Sequence, residues 1–367
     1  MIPFSNPRQG FLRQKPAILA ALTRVLARGR YILGEEVARL ETEFASFSGA
    51  QHCVGVSNGT EGICLALMAL GIGPGDEVIT VSHTATATAT GILQAGATPV
   101  LVDIEPVSFT MDPDRVARAL SPRTKAIMPV HLYGHPAEMS ALVALCRRHG
   151  LLLLEDCSQA HGALYHGRPV GTFGAAGIFS CYPTKNLGAM GDAGLVICRS
   201  TSVARKLREL RQYGWREYNS SQTFGINARL DELQAALLRV KLRTLQADNQ
   251  RRRQLASRYA AGLRTADVVV PVERPGCRHV FHLFVIRRKR RKWLMEYLAK
   301  KGVLCGIHYR KAIHQQIGFR GRIRVSGNLT QTESACRNII SLPMYPELSH
   351  VHQNRVIRLL QKAALYS

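Results

Sequence analysis

The middle of the chain alternates short apolar runs with helix-like segments, and this alternation limits the folds available to it. VITVS (78–82), PVLVDI (99–104) and LLLLED (151–156) are almost continuously apolar, as strands buried on both faces are. Helical patterns separate them, and parallel strands need crossover connections of this kind. The alternation predicts an α/β fold: a mostly parallel sheet with helices on both faces.

Composition describes an ordinary globular protein. Of 367 residues, 46% are hydrophobic and 20% are charged, which suits one or two domains. There is no run of about 18 apolar residues, so we expect no membrane span. The first residues lack the pattern of a signal peptide, and the nine cysteines, with no CxxC among them, suggest reduced thiols. We therefore expect a cytoplasmic protein.

The net charge of +24 leaves several interpretations open. It is compatible with a solvated basic surface, with nucleic acid, with an anionic membrane, or with a phosphorylated small substrate. Part of the charge lies in the short runs 251–253 and 287–292, outside any recognisable nucleic-acid-binding motif. We therefore expect no nucleic-acid partner.

The segment SNGTEG (57–62) has the features of an anion-binding turn. A strand ends near Ser57, and an apolar helix begins near Thr60. Backbone N–H groups at a helix start attract phosphate, and Gly59 would allow its close approach. An ordinary helix cap is the alternative interpretation of Thr60.

Two further segments carry candidate catalytic groups. LLLLED delivers Asp156 to the end of a buried strand, where a carboxylate can hold a pyridine nitrogen protonated or can simply cap a turn. Gln159 and His161 follow within reach of the same ligand. Lys185 lies in the glycine-rich stretch 180–194, where desolvation favours an uncharged amine that can form a Schiff base. His83, at another strand end, is by itself more typical of a structural histidine. Together, the phosphate turn, the strand-end carboxylate and the lysine predict a pyridoxal phosphate site.

The chain resembles the DegT/StrS-type nucleotide-sugar aminotransferases, which are fold type I pyridoxal phosphate enzymes. The resemblance runs from about residue 2 to about residue 348. It rests on six motifs in order: SNGTEG, GIGPGDEVI, EDCSQAHGA, FSCYPTKNLGAMGDAG, NARLDELQAALLRVKL and SLPMYPEL. It implies a large mixed sheet and a smaller C-terminal α/β domain. We divide the chain into 1–245 and 246–367.

The resemblance also implies roles for individual residues. Lys185 would be the Schiff-base lysine and proton carrier, and Asp156 the partner of the pyridine nitrogen. Gln159 would contact the ring hydroxyl. The remaining implied contacts are to the phosphate (Gly59, Thr60, Ser180), to the neighbouring subunit's cofactor (Asn227, Arg229), and to the cofactor or sugar (His83, His161, Tyr182, His308, Tyr309). The apolar spacing within residues 227–263, taken without the resemblance, predicts a long amphipathic helical region.

Activity and partners follow from the same resemblance. SHTATAT, KNLGAMGDAG and LRQYGWREYN are most similar to the branch that aminates dTDP-linked 3-keto-6-deoxy sugars. We therefore expect a homodimer that transfers the amino group of L-glutamate to a keto-sugar nucleotide for glycan, O-antigen or secondary-metabolite synthesis. A 4-keto substrate, a pyridoxamine-phosphate-dependent dehydratase and a non-catalytic regulatory protein are the alternatives. Lys185 argues against the dehydratase, whose branch carries histidine there.

The chain departs from the family pattern at several positions. Ala85 replaces an aromatic residue that stacks on the cofactor ring in many relatives, and His83 is the candidate substitute. Glu61 and Gly62 follow the phosphate-binding threonine where Asp-Ala is commoner, and Arg310 stands where proline is frequent.

Overall fold

The computed structural model describes residues 1–364. Its helices are α1 (Pro7–Arg28), α2 (Glu35–Ser48), α3 (Gly59–Ala69), α4 (Thr86–Gln94), α5 (Pro113–Ala119), α6 (Met139–His149), α7 (Thr201–Leu210), α8 (Glu232–Leu242), α9 (Leu245–Gly262), α10 (Arg291–Lys300), α11 (Thr330–Asn338) and α12 (His350–Ala363). Short 3₁₀ turns lie at Leu132–Gly134, Ile313–Gln315 and Ile317–Phe319.

The strands are β1 (His52–Val56), β2 (Glu77–Val81), β3 (Thr98–Val102), β4 (Thr124–Ile127), β5 (Leu152–Asp156), β6 (Leu164–Tyr165), β7 (Arg168–Pro169), β8 (Ala176–Ser180), β9 (Gly194–Cys198), β10 (Trp215–Glu217), β11 (Ser220–Ser221), β12 (Cys277–Arg278), β13 (Phe284–Arg287), β14 (Arg324–Val325) and β15 (Ile339–Leu342).

Eight of these strands form one sheet in the order β1-β9-β8-β5-β4-β2-β3-β14. The pairings from β8 through β14 are parallel, and β9 pairs antiparallel with both β8 and β1. The predicted α/β fold with a mostly parallel mixed sheet is thus confirmed. Parallel order also brings the carboxyl ends of β2, β4, β5 and β8 to the same edge, where sites in such sheets form.

Helices cover both faces of the sheet, which explains why its central strands are apolar throughout. Successive side chains of a strand point to opposite faces. In β2, Val78 packs with α3 residues such as Leu65, while Ile79 packs on the other side with α6 residues such as Leu142. Each strand residue is therefore buried by one helical layer or the other.

The C-terminal third forms a separate apolar cluster around β13 and β15. It gathers side chains of α9, α10 and α12, with Ile2 joining from the N-terminus through a bridge to Val303. β14 crosses back to pair with β3 in the large sheet. The division into 1–245 and 246–367 remains our proposal. Residues 365–367, part of the second region, lie outside the described chain.

The region 227–263, predicted as a long amphipathic helical region, is helical over most of its length. It contains two helices, α8 and α9, with Arg243 and Thr244 between them. The Thr244 hydroxyl contacts the carbonyl of Lys241 and the carboxylate of Asp248, so it closes one helix end beside the start of the next. Side chain–backbone competition of this kind is typical of threonine at helix boundaries.

The basic run 287–292 is largely built into the fold. The Arg287 guanidinium donates to the carbonyl of Pro106 at 3.1 Å, and buried Arg288 donates to Ala363 at 3.2 Å. Arg291 donates to the carbonyl of Cys336. A guanidinium supplies several donors in fixed geometry, so these side chains connect segments that are distant in the sequence by hydrogen bonds to their backbone carbonyls. Much of this run is therefore structural.

Two further observations concern the described chain as a whole. Within residues 1–364, no helix has the length and apolar character needed to cross a membrane. All nine cysteines are free thiols, and seven of them are buried.

Candidate active site

A cavity of about 480 Å³ opens at the carboxyl edge of the sheet. It lies where α3 and α4 begin and where β5 and β8 end. Seven of the thirteen predicted site residues line it: Gly59, Thr60, Asp156, Gln159, Ser180, Tyr182 and Lys185. Segments more than 120 positions apart in the sequence thus converge on one cavity of a size that suits a small ligand.

The start of α3 forms one end of this cavity. Asn58 caps the helix, with its side-chain oxygen accepting the Glu61 N–H at 2.9 Å. Gly59 packs so closely on β8 that an added Cβ would lie 2.8 Å from the Cβ of Ser180. Only glycine allows this approach. The helix start and the Ser180 hydroxyl together form a cradle suited to a phosphate.

Asp156 is held rigidly at the end of β5. One carboxylate oxygen accepts the Thr88 hydroxyl at 2.8 Å, and the other accepts the Ser158 backbone N–H at 3.1 Å. Thr88 lies in the first turn of α4, and its hydroxyl contacts that of Thr84, just before the helix, at 3.0 Å. These bonds orient a carboxylate that is only 3% exposed and lines the cavity. Such a group can pair with a protonated ring nitrogen.

Lys185 faces the cavity from the loop after β8. Its backbone N–H donates to the Tyr182 carbonyl at 2.8 Å, and Gly188 packs too tightly on Pro183 for a side chain. Burial lowers the pKa of the Lys185 ammonium to about 8, against an opposing effect of Asp156. Because desolvation disfavours the charged form, this amine is far easier to deprotonate than an ordinary lysine.

This lowered pKa predicts how Lys185 reacts in the cofactor-free protein. Only the neutral amine is nucleophilic, so its acetylation rate should rise with pH, with a midpoint near about pH 8. Competitive labelling with acetic anhydride, read by mass spectrometry, measures this rate against exposed Lys362 in the same sample. A Lys185 midpoint near that of Lys362 would contradict the assigned environment.

Tyr309 and His308 reach the site from the C-terminal third. The Tyr309 hydroxyl accepts the side-chain amide of Gln159 at 2.8 Å. His308 contacts the Ser341 hydroxyl at 2.8 Å, and burial lowers its pKa to about 4, so the ring is neutral. Tyr309 is therefore placed against a cavity-lining side chain, while His308 lies behind it.

Six of the thirteen predicted site residues do not line the cavity, and two of these, His161 and His83, are fully buried. His161 is fully buried between the rings of Phe44 and Phe179. Burial, and to a smaller extent the positive charge of nearby Lys185, lowers the pKa of His161 to about 3. His83 is also fully buried, with Tyr133 and Cys336 as its partners. Protein atoms surround both rings in this structure, and their assignment to sugar and cofactor contacts stays a prediction. Ala85 lines the cavity instead.

Asn227 and Arg229 lie apart from this chain's own cavity. The Asn227 backbone bridges Gln212, and the Arg229 guanidinium lies over the Tyr213 ring at 5.8 Å. Their assignment to a neighbouring subunit's cofactor stays a prediction.

Sequence reasoning missed Thr88 and Tyr133. Thr88 lies in the run TATAT, whose position at a strand's carboxyl end was the only signal available. Tyr133 contacts Gln159 and His308, which are distant in the sequence, and its neighbouring residues give no signal of these contacts.

Buried Glu155, beside Asp156, has a structural role. Its carboxylate accepts the N–H groups of Gly171, Phe173 and Gly174 and contacts His131 Nε2 at 3.1 Å. The other ring nitrogen of His131 accepts the Ala137 N–H at 3.0 Å. Although Cys157 lies close enough to complete a cluster of three metal-ligand types, these hydrogen bonds already occupy the carboxylate and the imidazole.

The residues of this cavity fit pyridoxal phosphate. The cradle that a Cβ at Gly59 would fill suits the phosphate, Asp156 suits the ring nitrogen, and Lys185 suits the aldehyde. A lysine, a carboxylate and a phosphate cradle on this α/β fold define the class of fold type I aminotransferase-like proteins.

Comparison with known proteins identifies the family. Residues 13–361 match the DegT/DnrJ/EryC1/StrS aminotransferase family, and the chain belongs to it. The chain is 43% identical over 357 residues to the dTDP-3-amino-3,4,6-trideoxy-alpha-D-glucose transaminase of Streptomyces venezuelae, covering 97% of this chain and 94% of that protein.

Solved structures confirm the predicted fold. The crystal structure of S. venezuelae DesV in complex with a ketimine intermediate has a TM-score of 0.96 at 43% identity, covering 99% of this chain and 98% of that one. NtdA of Bacillus subtilis, with bound cofactor PMP, has a TM-score of 0.89 at 30% identity, covering 96% of this chain and 82% of that one.

Proposed function

We propose that this protein is a pyridoxal-phosphate-dependent aminotransferase acting on a keto-sugar nucleotide. The substrate we favour is a dTDP-3-keto-6-deoxyhexose, with L-glutamate as the amino donor. The observation that carries the proposal is the convergence of Lys185, Asp156 and the α3 cradle on one cavity. Family membership and the transaminase activity of the Streptomyces relative support the same conclusion.

Asp156 and Lys185 would have different roles in the reaction. When bound, pyridoxal phosphate supplies an electron sink that stabilises a negative charge on the carbon bearing the amino group. Asp156, which Thr88 and Ser158 orient, would keep a proton on the pyridine nitrogen through the negative charge of its carboxylate. Lys185, whose pKa burial lowers to about 8, can remove a proton and return it at another atom.

The remaining side chains position the reactants. The start of α3 and Ser180 would hold the phosphate of the cofactor at one end of the cavity. Gln159, held by Tyr133 and Tyr309, presents a fixed amide toward the ring. Tyr182, which is half exposed at the cavity edge, is placed to contact the incoming sugar.

We propose a homodimer with Asn227 and Arg229 reaching the neighbouring cofactor. Large apolar side chains are unusually exposed near this segment, including Tyr218 at 86% and Phe224 at 80%. Exposed aromatic side chains of this size are typical of surfaces that a partner covers. We also propose a cytoplasmic location, which the nine free thiols support.

The test is a panel of keto-sugar nucleotides offered with L-glutamate and pyridoxal phosphate. It contains a dTDP-3-keto-6-deoxyhexose, its 4-keto isomer and a UDP-linked 3-keto sugar, with products identified by mass spectrometry. We expect amination of the dTDP-3-keto sugar with the highest kcat/KM. Faster amination of the 4-keto isomer would show that the proposed substrate is wrong. Dehydration without amination would show that the proposed reaction is wrong.

A further inference from the structure

His83 lies in a buried chain of hydrogen bonds that ends at the active-site loop. Its Nε2 atom is 2.8 Å from the Tyr133 hydroxyl, and its Nδ1 atom is 3.4 Å from Cys336 Sγ. Both His83 and Tyr133 are almost completely buried. The Tyr133 hydroxyl also contacts the backbone carbonyl of His308.

The chemistry of these groups fixes the direction of every bond. A carbonyl only accepts, so the Tyr133 O–H must donate to His308. The Tyr133 oxygen then accepts from His83, which places the imidazole proton on Nε2. Nδ1 is left as an acceptor for the Cys336 thiol. Burial lowers the pKa of His83 to about 4, in agreement with this neutral tautomer.

Tyr133 connects the same chain to Gln159. Its backbone N–H donates to the Gln159 side-chain oxygen at 2.7 Å. Because that N–H can only donate, the Gln159 amide nitrogen must face the other way, toward the Tyr309 hydroxyl at 2.8 Å. Tyr133 adopts a left-handed backbone with φ of 59°, which is uncommon for a residue other than glycine. The contacts of Tyr133 with its neighbours therefore hold its backbone in this conformation.

We infer that His83 is a positioning residue that acts through Tyr133 to hold Gln159 and the 308–309 loop against the cofactor cavity. The single N–H donated by Nε2 stops the Tyr133 hydroxyl from turning away from His308. Gln159 and Tyr309 then keep a fixed spacing. This inference rests on the proposed function, since the positioned groups face the proposed cofactor.

Three substitutions separate the donor from the bulk of the ring. His83→Leu fills similar space without a donor. His83→Gln keeps an amide nitrogen close to the place of Nε2, and His83→Asn places one nearer to Nδ1. We expect His83→Leu and His83→Asn to raise the dissociation constant of pyridoxal phosphate by roughly three- to tenfold, the usual effect of one buried hydrogen bond. His83→Gln should stay within about twofold of wild type.

A double-mutant cycle tests the route through Tyr133. Tyr133→Phe removes the hydroxyl, and it should weaken cofactor binding by a similar roughly three- to tenfold. If His83 acts only through that hydroxyl, His83→Leu combined with Tyr133→Phe should bind no worse than Tyr133→Phe alone. Independent roles would instead multiply the two effects.

The measurements are absorbance titration of the cofactor-free dimer and the thermal unfolding midpoint of each variant. Should His83→Leu fail to fold, Tyr133→Phe, which loses one oxygen atom, gives the same comparison with wild type. Wild-type affinity in both His83→Leu and Tyr133→Phe, equal weakening in the glutamine and leucine variants, or a multiplicative cycle would overturn the inference. A wild-type protein that binds no pyridoxal phosphate would contradict the proposed function itself.

Discussion

Replacing Lys185 by alanine is expected to lower kcat by roughly 10²–10⁴-fold or more, the range found when a positioned acid–base group is removed. Lys185 lines the cavity, and burial lowers the pKa of its ammonium to about 8, so it is the amine best suited to carry a proton at neutral pH. Steady-state amination of the preferred sugar nucleotide measures the effect.

The matched control is Lys362→Ala. Lys362 is exposed in α12, away from the cavity, and alanine is a good helix former. We expect its kcat within about twofold of wild type. If Lys185→Ala keeps more than a tenth of wild-type turnover while Lys362→Ala is unaffected, Lys185 is not the proton carrier.

Substituting Asp156 by asparagine should lower kcat by roughly 10²–10³-fold, as the loss of a fixed electrostatic partner does. The shape of the side chain is kept, but its negative charge is lost, so the ring nitrogen loses the anion that keeps it protonated. Asparagine can still accept the Ser158 N–H, and the Thr88 hydroxyl can turn to accept from the amide. The fold should therefore survive, which a thermal unfolding midpoint near wild type would verify.

Thr88→Val separates the charge of Asp156 from its orientation. It removes the 2.8 Å hydroxyl contact but leaves the carboxylate, so we expect a smaller loss of roughly tenfold. A Thr88→Val loss equal to that of Asp156→Asn would mean that geometry alone explains the carboxylate's contribution. An Asp156→Asn variant with wild-type turnover would remove Asp156 from the mechanism.

Much of this architecture could be predicted because it follows from local patterns. The runs that became β2, β3 and β5 are apolar since helices cover both faces of the sheet, and their alternation with helices dictates parallel order. That order brings strand ends together, so the convergence of Asp156 and Lys185 was also predictable.

The histidines could not be assigned in the same way. His83 and His161 follow strand ends within predicted site motifs, which is where a ligand contact is expected. Whether such a ring faces the cavity or the protein interior depends on distant residues, here Cys336 for His83 and Phe44 for His161. No local pattern records contacts across more than a hundred positions.

The residues that depart from the family pattern lie in different parts of the structure. Ala85 and Glu61 line the cavity, so they change the surface that a ligand meets. Arg310 is exposed and follows directly on Tyr309. Ala85 leaves one cavity wall without an aromatic ring, and His83 lies behind that wall in its own hydrogen-bond chain.

The most direct test of the account follows nitrogen from donor to sugar. The wild-type protein is incubated with ¹⁵N-labelled L-glutamate, pyridoxal phosphate and a dTDP-3-keto-6-deoxyhexose, and the sugar nucleotide is analysed by mass spectrometry. We predict ¹⁵N in the product sugar with wild-type protein, and at least roughly a hundredfold less in the same time with Lys185→Ala. An unlabelled keto sugar recovered intact from a folded wild-type protein that binds pyridoxal phosphate would contradict the proposed transamination.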